Sequence, residues 1–505
     1  MHLIIFALFF IAGFLTSPKF LLFYDQIEYL NIVSTHSFWQ VFSLGHFPIH
    51  PFFLSVFWIT SHLILPNYTA FIFGIISVIL IYKICKKIFK DKYFWIPAIM
   101  FSLFPGVWLV NTNLMIQSVL LTFYLFAIYF FLEKKALLFS IFVFLMVGTH
   151  VDAVYWVPTI FLLPIIFSKE IKINKKEIIR FAKWAFFSIT ASVLFYAFIY
   201  FFVRKEFGGS TEQIFAYNSF GFLRIIRNIW VCFINNFGSA TPLVLIFLLI
   251  KKIKSKKEWI AWIIFTILVS MGGAYWAGDL MMRRIVFAGV ILALAFYKYL
   301  GKKSVFIILF LLPITGFNAT LYYKNLNNMP LLVMQQNIDK LPKNQVLLES
   351  HYYYPFIKYE GKILWFEADD MNQIEKLLEN GTRVFMSKES LTSPYLLIVG
   401  NNYHITSLNK VGNSESRKLF GRYQIKTYEN YLELISHNEK EVAENAGEPV
   451  IFYGDNFWQT LSRKRINYGD VGIWFWSKIT GHKDALGWTY KDASGAWVWP
   501  KIGIQ

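Results

Sequence analysis

The sequence predicts a polytopic α-helical membrane protein that carries a separate C-terminal α/β domain. Of its 505 residues, 56% are hydrophobic and 16% are charged, whereas soluble domains contain about 25% charged residues. The apolar residues up to position 323 are grouped into segments, and about 11 of these approach the roughly 20 residues that a helix needs to cross a bilayer. From position 324 onward the composition is that of a soluble domain.

Short polar or basic loops separate the predicted spans. The spans lie near residues 3–23, 68–84, 93–110, 115–132, 137–149, 153–167, 178–203, 238–250, 259–277, 285–300 and 304–323. The first of them lacks the basic start and the small-residue cleavage site of a signal peptide, so we expect it to be a membrane anchor.

Lysine clusters decide the predicted orientation. The net charge is +18, but the basic residues fall between apolar segments, which is typical of cytoplasmic loops rather than of a nucleic-acid-binding surface. The clusters are Lys83–Lys92, Lys134–Lys135, Lys169–Lys183, Lys251–Lys257 and Lys298–Lys303. With all of them inside, the N-terminus is cytoplasmic and the C-terminal domain is extracytoplasmic. Residues 48–65 would break this alternation as a span, so we expect a juxtamembrane or re-entrant helix there, on the outer side.

The same topology gathers polar side chains on the outer side of the membrane. They are Asp25, Glu28, His46, His50, Asn111, Asn113, Gln117, His150, Asp152, Asp279, Arg283 and Arg284. The other acids of the membrane region fall among lysines or in a hydrophilic loop, where solvation explains them. Because an acid at membrane level is costly to desolvate, an unexplained one is a functional candidate by default. The acids that remain are Asp25, Glu28, Asp152 and Asp279.

Asp25 and Glu28 directly follow the first apolar segment. At i and i+3 they share one face of a helix, so both can point into a single outer cavity. A carboxylate there can accept a proton from a hydroxyl nucleophile, as a general base. The alternative is that the two acids only cap or solvate a short helix at the membrane interface.

Two histidine-containing segments accompany these acids. His46 and His50 flank Pro48, and His150 and Asp152 join two unusually short predicted spans. A polar tip between short spans can contact the phosphate or the sugar of a lipid-linked donor. For the aspartate of this tip, a structural helix cap is the competing interpretation.

A pair of arginines, Arg283 and Arg284, closely follows Asp279 at the start of an outward-facing span. Arginine binds phosphate through two parallel hydrogen bonds, so this pair is the predicted partner of a lipid phosphate. The alternative is that both side chains only snorkel to the membrane interface.

Uncharged polar residues precede the span at 115–132. They are Asn111, Asn113 and Gln117. Hydrogen bonding to sugar hydroxyls and helix capping both explain them, and the sequence does not decide between the two.

The region after residue 324 shows short alternating elements of a small α/β domain, which we place at 324–440. Its predicted strands are Val346–Glu349, Lys362–Phe366 and Thr382–Met386, with a helix at Asp369–Glu379 that ends at Gly381. A tail at 441–505 contains Trp458, Trp474, Trp476, Trp488, Trp497 and Trp499. These indoles either present an acceptor to the site or pack on the domain and the membrane interface.

Taken in order, these features resemble the GT-C superfamily of polyprenol-dependent glycosyltransferases. The nearest branch contains the protein O-mannosyltransferases and the aminoarabinose transferases. The shared features are the acids in Tyr24–Glu28, the stretch Gly45–Pro51 before an apolar helix, Phe104–Pro105 and an outer C-terminal domain. The chain departs from the pattern at Gln117, where relatives often carry an acid, and at His46, which is not followed by two prolines.

The resemblance implies a GT-C-like catalytic domain over residues 1–323. It implies inverting transfer of a sugar from a polyprenyl-phosphate donor to a glycan, lipid or protein acceptor, with Asp25 as base and Glu28 orienting a substrate. The expected donor-binding residues are His46, His50, Gln117, His150, Asp152, Asp279, Arg283 and Arg284. We expect no metal or other cofactor, because Arg and His can neutralise a single phosphate. A transporter or lipid flippase is the alternative, and it would place ionisable residues near mid-membrane.

Overall fold

The structure is a computed structural model, and the chain in it divides into two compact units. The residues that it describes are 24–45, 49–112, 114–204, 253, 255–274, 285–313, 338–349, 358–365, 368–387, 416–419, 423–427 and 431–436. Those up to 313 belong to the first unit and those from 338 onward to the second. For Asp25 and Glu28 the description covers the backbone only.

Part of what the sequence predicts concerns residues outside these ranges. The predicted spans 3–23 and 238–250, the residues His46, Asn113, Asp279, Arg283 and Arg284, and the Trp-rich tail 441–505 all lie there. They stay predictions, as does the division into domains at 1–323, 324–440 and 441–505.

The first unit consists of helices whose residues are predominantly apolar. In chain order they are α1 (Tyr24–Thr35), α2 (Pro51–Ser61), α3 (Pro66–Ile88), α4 (Ile96–Leu103), α5 (Pro105–Thr112), α6 (Ile116–Leu132), α7 (Ala136–Thr149), α8 (Ala153–Ile166), α9 (Lys175–Phe198), α10 (Lys256–Ala274) and α11 (Ala288–Leu300). These labels count described helices only. A π-helical turn, Ile199–Arg204, continues α9, and residues 305–313 are also helical.

Two described helices are by themselves long and apolar enough to cross a membrane, namely α3 and α9 with its continuation to Val203. The bent pair α5–α6 counts as a third if its halves form one span, and α2, α7 and α8 are apolar but shorter. The prediction of a polytopic helical membrane protein is confirmed. The number of spans stays a prediction.

Most predicted spans in the described ranges coincide with helices. The spans at 68–84, 115–132, 137–149, 153–167, 178–203, 259–277 and 285–300 correspond to α3, α6, α7, α8, α9, α10 and α11. Residues 49–65 contain α2, whose 11 residues extend for about 16 Å. Because a bilayer core is about 30 Å thick, α2 cannot cross it, as predicted.

One predicted span, 93–110, is broken in the structure. Helix α4 ends at Leu103 and α5 begins at Pro105, and Phe104 between them has the extended angles φ −61° and ψ 126°. Proline explains the break, because it has no N–H and disfavours the helical conformation of the residue before it. Helix α6 then starts at an angle of 110° to α5.

Helices α3, α6 and α8 run in the same direction, and α7 and α9 run in the opposite direction. Contacts near matching ends show the first set: Asn67 with Leu114 at 2.7 Å, Lys87 with Glu133 at 2.5 Å, and the rings of Phe89 and Phe167 with centroids 6.2 Å apart. Contacts between α7 and α9 show the second set: Lys134 with Glu177 at 2.9 Å and the Val147 carbonyl with Tyr196 at 2.9 Å. The bundle therefore has two distinct ends.

The basic end is where α3, α6, α8 and α11 finish and where α7, α9 and α10 begin. Contacts that join these termini are Phe89–Phe167, Lys134–Glu177, Glu258–Lys298 and Asp91–Tyr297. Every basic cluster predicted from the sequence falls here, as far as the structure describes it. The prediction that these clusters share one side is confirmed, and the assignment of that side to the cytoplasm stays a prediction.

The histidine end is the opposite end, where α2, α3, α6 and α8 begin and where α7 and α9 finish. Its named members are His50, which precedes α2, and His150, which follows α7. The described segments that form this end contain no Lys or Arg with a described side chain. Among the described side chains, the basic residues thus lie at one end of the bundle and not at the other.

The second unit contains a six-stranded mixed sheet with the order β2-β1-β3-β6-β5-β4. The strands are β1 (Val346–Glu349), β2 (Lys362–Trp365), β3 (Val384–Ser387), β4 (Ser416–Leu419), β5 (Tyr423–Thr427) and β6 (Tyr431–Ser436), and the helix α12 (Ala368–Glu379) connects β2 to β3. Strands β1, β2 and β3 are parallel, whereas β6, β5 and β4 are antiparallel.

The predicted strands and helix of this unit coincide with β1, β2, β3 and α12. A small apolar cluster of Ile338, Leu341, Leu347 and Phe385 packs beside β1 and β3. After α12, Gly381 has a φ of +72°, a left-handed conformation that glycine adopts readily and that ends helices. The extracytoplasmic location of this unit stays a prediction.

Candidate functional site

Two buried histidines from distant parts of the chain meet at the histidine end. The rings of His50 and His150 are stacked, with centroids 4.9 Å apart and an interplanar angle of 17°. Only 2% of His50 and 6% of His150 is exposed. Histidine is a polar residue that titrates near neutral pH, so a buried pair of them is a strong candidate for chemistry.

The local sequence explains the position of His50. Pro51 is the first residue of α2, and the residue before a proline is driven to an extended conformation, here φ −125° and ψ 61°. The ring of Tyr29, on α1, meets the ring of His50 edge-on at 5.9 Å. In the residue before His50, the N–H of Ile49 donates to the hydroxyl of Tyr200 at 3.1 Å. His50 is thus held between α1, α7 and the end of α9.

His150 terminates α7 with the extended angles φ −158° and ψ 129°. Its Nδ1 accepts the backbone N–H of Asp152 at 3.1 Å, and it lies 3.5 Å from Oδ2 of the same residue. Because a backbone N–H can only donate, this bond assigns the neutral tautomer in which Nε2 carries the hydrogen. His150 therefore has a fixed donor at Nε2.

Asp152 occupies the N-cap position of α8, but its side chain makes no capping hydrogen bond. The residue is 5% exposed, and its carboxylate lies beside the His150 ring instead. The interpretation of Asp152 as a structural cap is therefore wrong. The N–H and the carboxylate of Asp152 therefore both lie at the Nδ1 side of the His150 ring.

A close approach between α2 and α7 brings the two histidines together. A Cβ atom added to Gly148 would lie 2.1 Å from Cε2 of Phe52, so only glycine allows the phenyl ring to pack there. The same ring stacks on Phe195 of α9 at 5.5 Å with an angle of 3°. Glycine at this position thus sets the distance between the segments that carry His50 and His150.

The end of α9 supplies two tyrosines that sequence reasoning missed. The hydroxyl of Tyr196 donates to the Val147 carbonyl at 2.9 Å, and Tyr200 accepts from Ile49. Tyr200 lies in the π-helical turn, a form that is often found at functional sites. A signal was present in the sequence, because two tyrosines four residues apart in a predicted apolar span are polar groups on one helix face.

A second group of polar side chains lies at the break between α5 and α6. Asn67 is the structural member, since its Oδ1 accepts the N–H of Leu114. Asn111 and Gln117 are each 4% exposed. Both polar atoms of Asn111, and Oε1 of Gln117, are buried without a hydrogen-bond partner among the described residues. An unsatisfied buried polar group costs about 1–3 kcal/mol, so native structures contain few of them.

Neither Asn111 nor Gln117 caps a helix. The N-cap of α6 is Met115, which makes no side-chain capping bond. Asn111 lies against α3, where a Cβ on Gly74 would be 2.7 Å from the Cβ of Asn111. The capping interpretation of these two residues is wrong, and hydrogen bonding to a substrate stays a prediction.

The structure brings together three of the residues predicted from the sequence, His50, His150 and Asp152. Gln117 lies at the same end of the bundle, at the start of α6. Asp25 and Glu28 lie in α1, and Tyr29 of that helix contacts His50. The predictions for His46, Asp279, Arg283 and Arg284 lie outside the described residues.

No protein-family profile and no curated protein sequence matches the chain. Two crystal structures of ArnT from Cupriavidus metallidurans are similar to it. One, bound to undecaprenyl phosphate, has a TM-score of 0.45 and 11% identity, and the other, in the apo state, has a TM-score of 0.41 and 9% identity. Each similarity covers 86% of this chain and 97% of ArnT. ArnT is a GT-C glycosyltransferase, a member of the superfamily that the sequence resembles.

Proposed function

We propose that the chain is a membrane glycosyltransferase that moves a sugar from a polyprenyl-phosphate donor to a hydroxyl acceptor at the histidine end. One observation carries the proposal. Tyr29 contacts His50, which stacks on His150, and position 25 lies one helical turn before Tyr29 on the same face of α1. The predicted base, Asp25, therefore belongs to the helix face that leads to the buried histidine pair.

In the proposed reaction, Asp25 accepts the proton of the acceptor hydroxyl while the hydroxyl oxygen attacks the anomeric carbon of the donor sugar. The bond between that carbon and the phosphate oxygen breaks, and polyprenyl phosphate departs with the bonding electrons. The new glycosidic bond forms on the opposite face of the ring, so the configuration is inverted. Glu28, at i+3 from the base, orients a substrate, and Asp25 releases its proton to water.

The departing phosphate requires hydrogen-bond donors and positive charge. His150 supplies a donor at Nε2, because its Nδ1 is occupied by the N–H of Asp152. We assign the positive charge to Arg283 and Arg284, since a guanidinium binds two phosphate oxygens at once. His46 and Asp279 complete the proposed donor site. A single phosphate neutralised in this way needs no metal.

We place this site on the extracytoplasmic face, because the opposite end carries the basic clusters. We also propose, from the sequence alone, that residues 324–505 are extracytoplasmic. The acceptor class that fits the base chemistry is any hydroxyl-bearing glycan, lipid or protein.

A lipid flippase is the second candidate, and one observation favours it. If α5 and α6 form one span, the bend of 110° between them is that of a broken helix, which is typical of transporters. The two functions differ in their products, because a flippase leaves the bond between sugar and phosphate intact.

The test is mass analysis of envelope glycoconjugates and lipid extracts from cells with and without the intact chain. We expect that loss of the chain removes a sugar from one glycoconjugate class and that the sugar-loaded polyprenyl phosphate accumulates. Purified protein in vesicles should then release undecaprenyl phosphate from a sugar-loaded donor when an acceptor extract is present. Movement of intact donor across the vesicle membrane without release would favour the flippase.

A further inference from the structure

The buried amides of Asn111 and Gln117 are not explained by the fold. Both polar atoms of Asn111 and the carbonyl oxygen of Gln117 lack a partner among the described residues, although each residue is 4% exposed. The two residues lie on either side of the α5–α6 break, at the histidine end. Burial of three such atoms is unfavourable unless something else bonds them.

Asn67 is an amide with a structural role at the same break. It is 1% exposed, and its Oδ1 accepts the N–H of Leu114 at 2.7 Å, which ties α3 to the start of α6. The fold has therefore satisfied one amide at the break with its own backbone. Asn111, on α5, packs against Gly74 of α3 and makes no equivalent bond among the described residues.

The chemistry of the unpartnered atoms selects a ligand class. Asn111 offers both a donor and an acceptor, and Gln117 offers an acceptor. A phosphate oxygen only accepts and an ammonium group only donates, whereas a hydroxyl does both. A buried ammonium group would also need a carboxylate beside it, which neither amide provides. Neutral hydroxyl groups therefore match these amides best.

We propose that Asn111 and Gln117 form the subsite for the sugar of the donor and that this sugar presents neutral hydroxyls, not an amino group, to them. This inference rests on the proposed function. Donor specificity then depends on the break between α5 and α6, while the phosphate is bound elsewhere at the histidine end. Asn111 and Gln117 are binding residues in this proposal and take no part in proton transfer.

The first arm of the test measures thermal unfolding of the purified, ligand-free protein and its variants Asn111→Leu and Gln117→Met. Each replacement keeps the shape of the side chain and removes its polar atoms. Where a polar group has no partner, an apolar group of the same shape is neutral or stabilising. We expect Tm values equal to or above that of the unmodified protein. The control Asn67→Leu should lower Tm, because it leaves the N–H of Leu114 unbonded.

The second arm measures binding of undecaprenyl phosphate, of undecaprenyl-phosphoryl mannose and of an undecaprenyl-phosphoryl 4-amino-pentose. We expect each variant to lose about 10-fold in affinity for the mannosyl lipid, as for one or two lost hydrogen bonds. Affinity for the bare lipid should not change, and the unmodified protein should prefer the mannosyl lipid to the amino-sugar lipid.

The outcomes separate this inference from the proposed function. A fall in Tm for both Asn111→Leu and Gln117→Met would show that the amides have structural partners, and it would overturn the inference. The inference would also be overturned if the variants lost equal affinity for the bare and the mannosyl lipid, or if their affinity for both were unchanged. A preference of the unmodified protein for the amino-sugar lipid would overturn it as well. Failure of the unmodified protein to bind any of the three lipids would instead overturn the proposed function.

Discussion

At the basic end of the bundle, charged side chains pair with one another across helices, whereas at the histidine end buried polar side chains gather, among them His50, His150, Asp152, Asn111 and Gln117. Lys87 with Glu133 and Lys298 with Glu258 are ion pairs between neighbouring helices. His50 and His150 are instead stacked rings, and the nearest carboxylate with a described side chain is that of Asp152. The ion pairs at the first end join neighbouring helices, whereas at the second end the amide of Asn111 and Oε1 of Gln117 are buried without a partner among the described residues.

This difference predicts how the polar residues at the two ends should respond to substitution. A group whose partner is part of the same fold contributes to stability, and its loss lowers the free energy of unfolding. A group that is buried for a substrate contributes to turnover or affinity, and its loss leaves the fold intact. Substitutions with matched chemistry at the two ends test this directly.

The largest effect is expected for Asp25→Asn. A neutral amide cannot accept the proton of the acceptor, and loss of a positioned base lowers rates by about 10²–10⁴-fold. The measurement is single-turnover release of undecaprenyl phosphate by purified protein. The matched control is Glu133→Gln at the basic end, which should keep the full rate. Near-normal turnover by the Asp25 variant would remove that residue from the mechanism.

At the basic end, Glu258→Ala should destabilise the protein without changing its transfer rate at low temperature. The carboxylate accepts from Lys298 and, at 2.5 Å, from the hydroxyl of Tyr299, and its side chain is 13% exposed. Removing one partner of such a network costs about 2–3 kcal/mol, because the remaining charge is left largely buried. Thermal unfolding in detergent measures the loss of stability, and an unchanged Tm would show that the network does not stabilise the protein.

A steric substitution comes next in size. Gly148→Ala places a methyl group against Phe52, and overpacking of this kind costs about 1–3 kcal/mol. Because the same contact sets the distance between the histidines, donor affinity should fall as well. The double variant with Phe52→Leu should recover part of both losses. Additive losses in the double variant would count against a direct clash.

The smallest effect is expected for Lys87→Ala. The ion pair with Glu133 is partly exposed, with 38% and 28% of the two side chains accessible. Exposed pairs contribute about 0.2–1 kcal/mol, and salt screens them. Thermal unfolding should show a slightly lower Tm for the variant than for the unmodified protein at low salt, and equal Tm values at high salt. A decrease in Tm that persists at high salt would mean that Lys87 has a further role.

The elements of the fold were largely predictable from local pattern. Runs of apolar residues with suitable lengths predicted α3, α6, α7 and α8, and the short strands β1 to β3 followed from alternation and turn residues. The common end of the basic clusters was predictable as well, because it follows from charge distribution alone. The break at Phe104 was missed, although Pro105 signalled it, because the apolar run continues across it.

The contacts of the site were less predictable than its members. His50 and His150 were candidates by residue type, but their stacking depends on the packing of α2 against α7, which involves segments far apart in sequence. The roles of Tyr196 and Tyr200 depend in the same way on how α9 lies beside α7. Asp152 was ambiguous because an aspartate before a helix favours capping, and only tertiary structure turned its side chain toward His150.

The shortness of α7 and α8 has a consequence for the lipid around the protein. Each has 14 residues and extends for about 21 Å, whereas the hydrocarbon core of a bilayer is about 30 Å thick. Such hydrophobic mismatch thins the bilayer locally, at a modest cost for each ångström. The turn that carries His150 would then lie where the bilayer is locally thinned. Lipids with shorter acyl chains should therefore raise the rate of transfer.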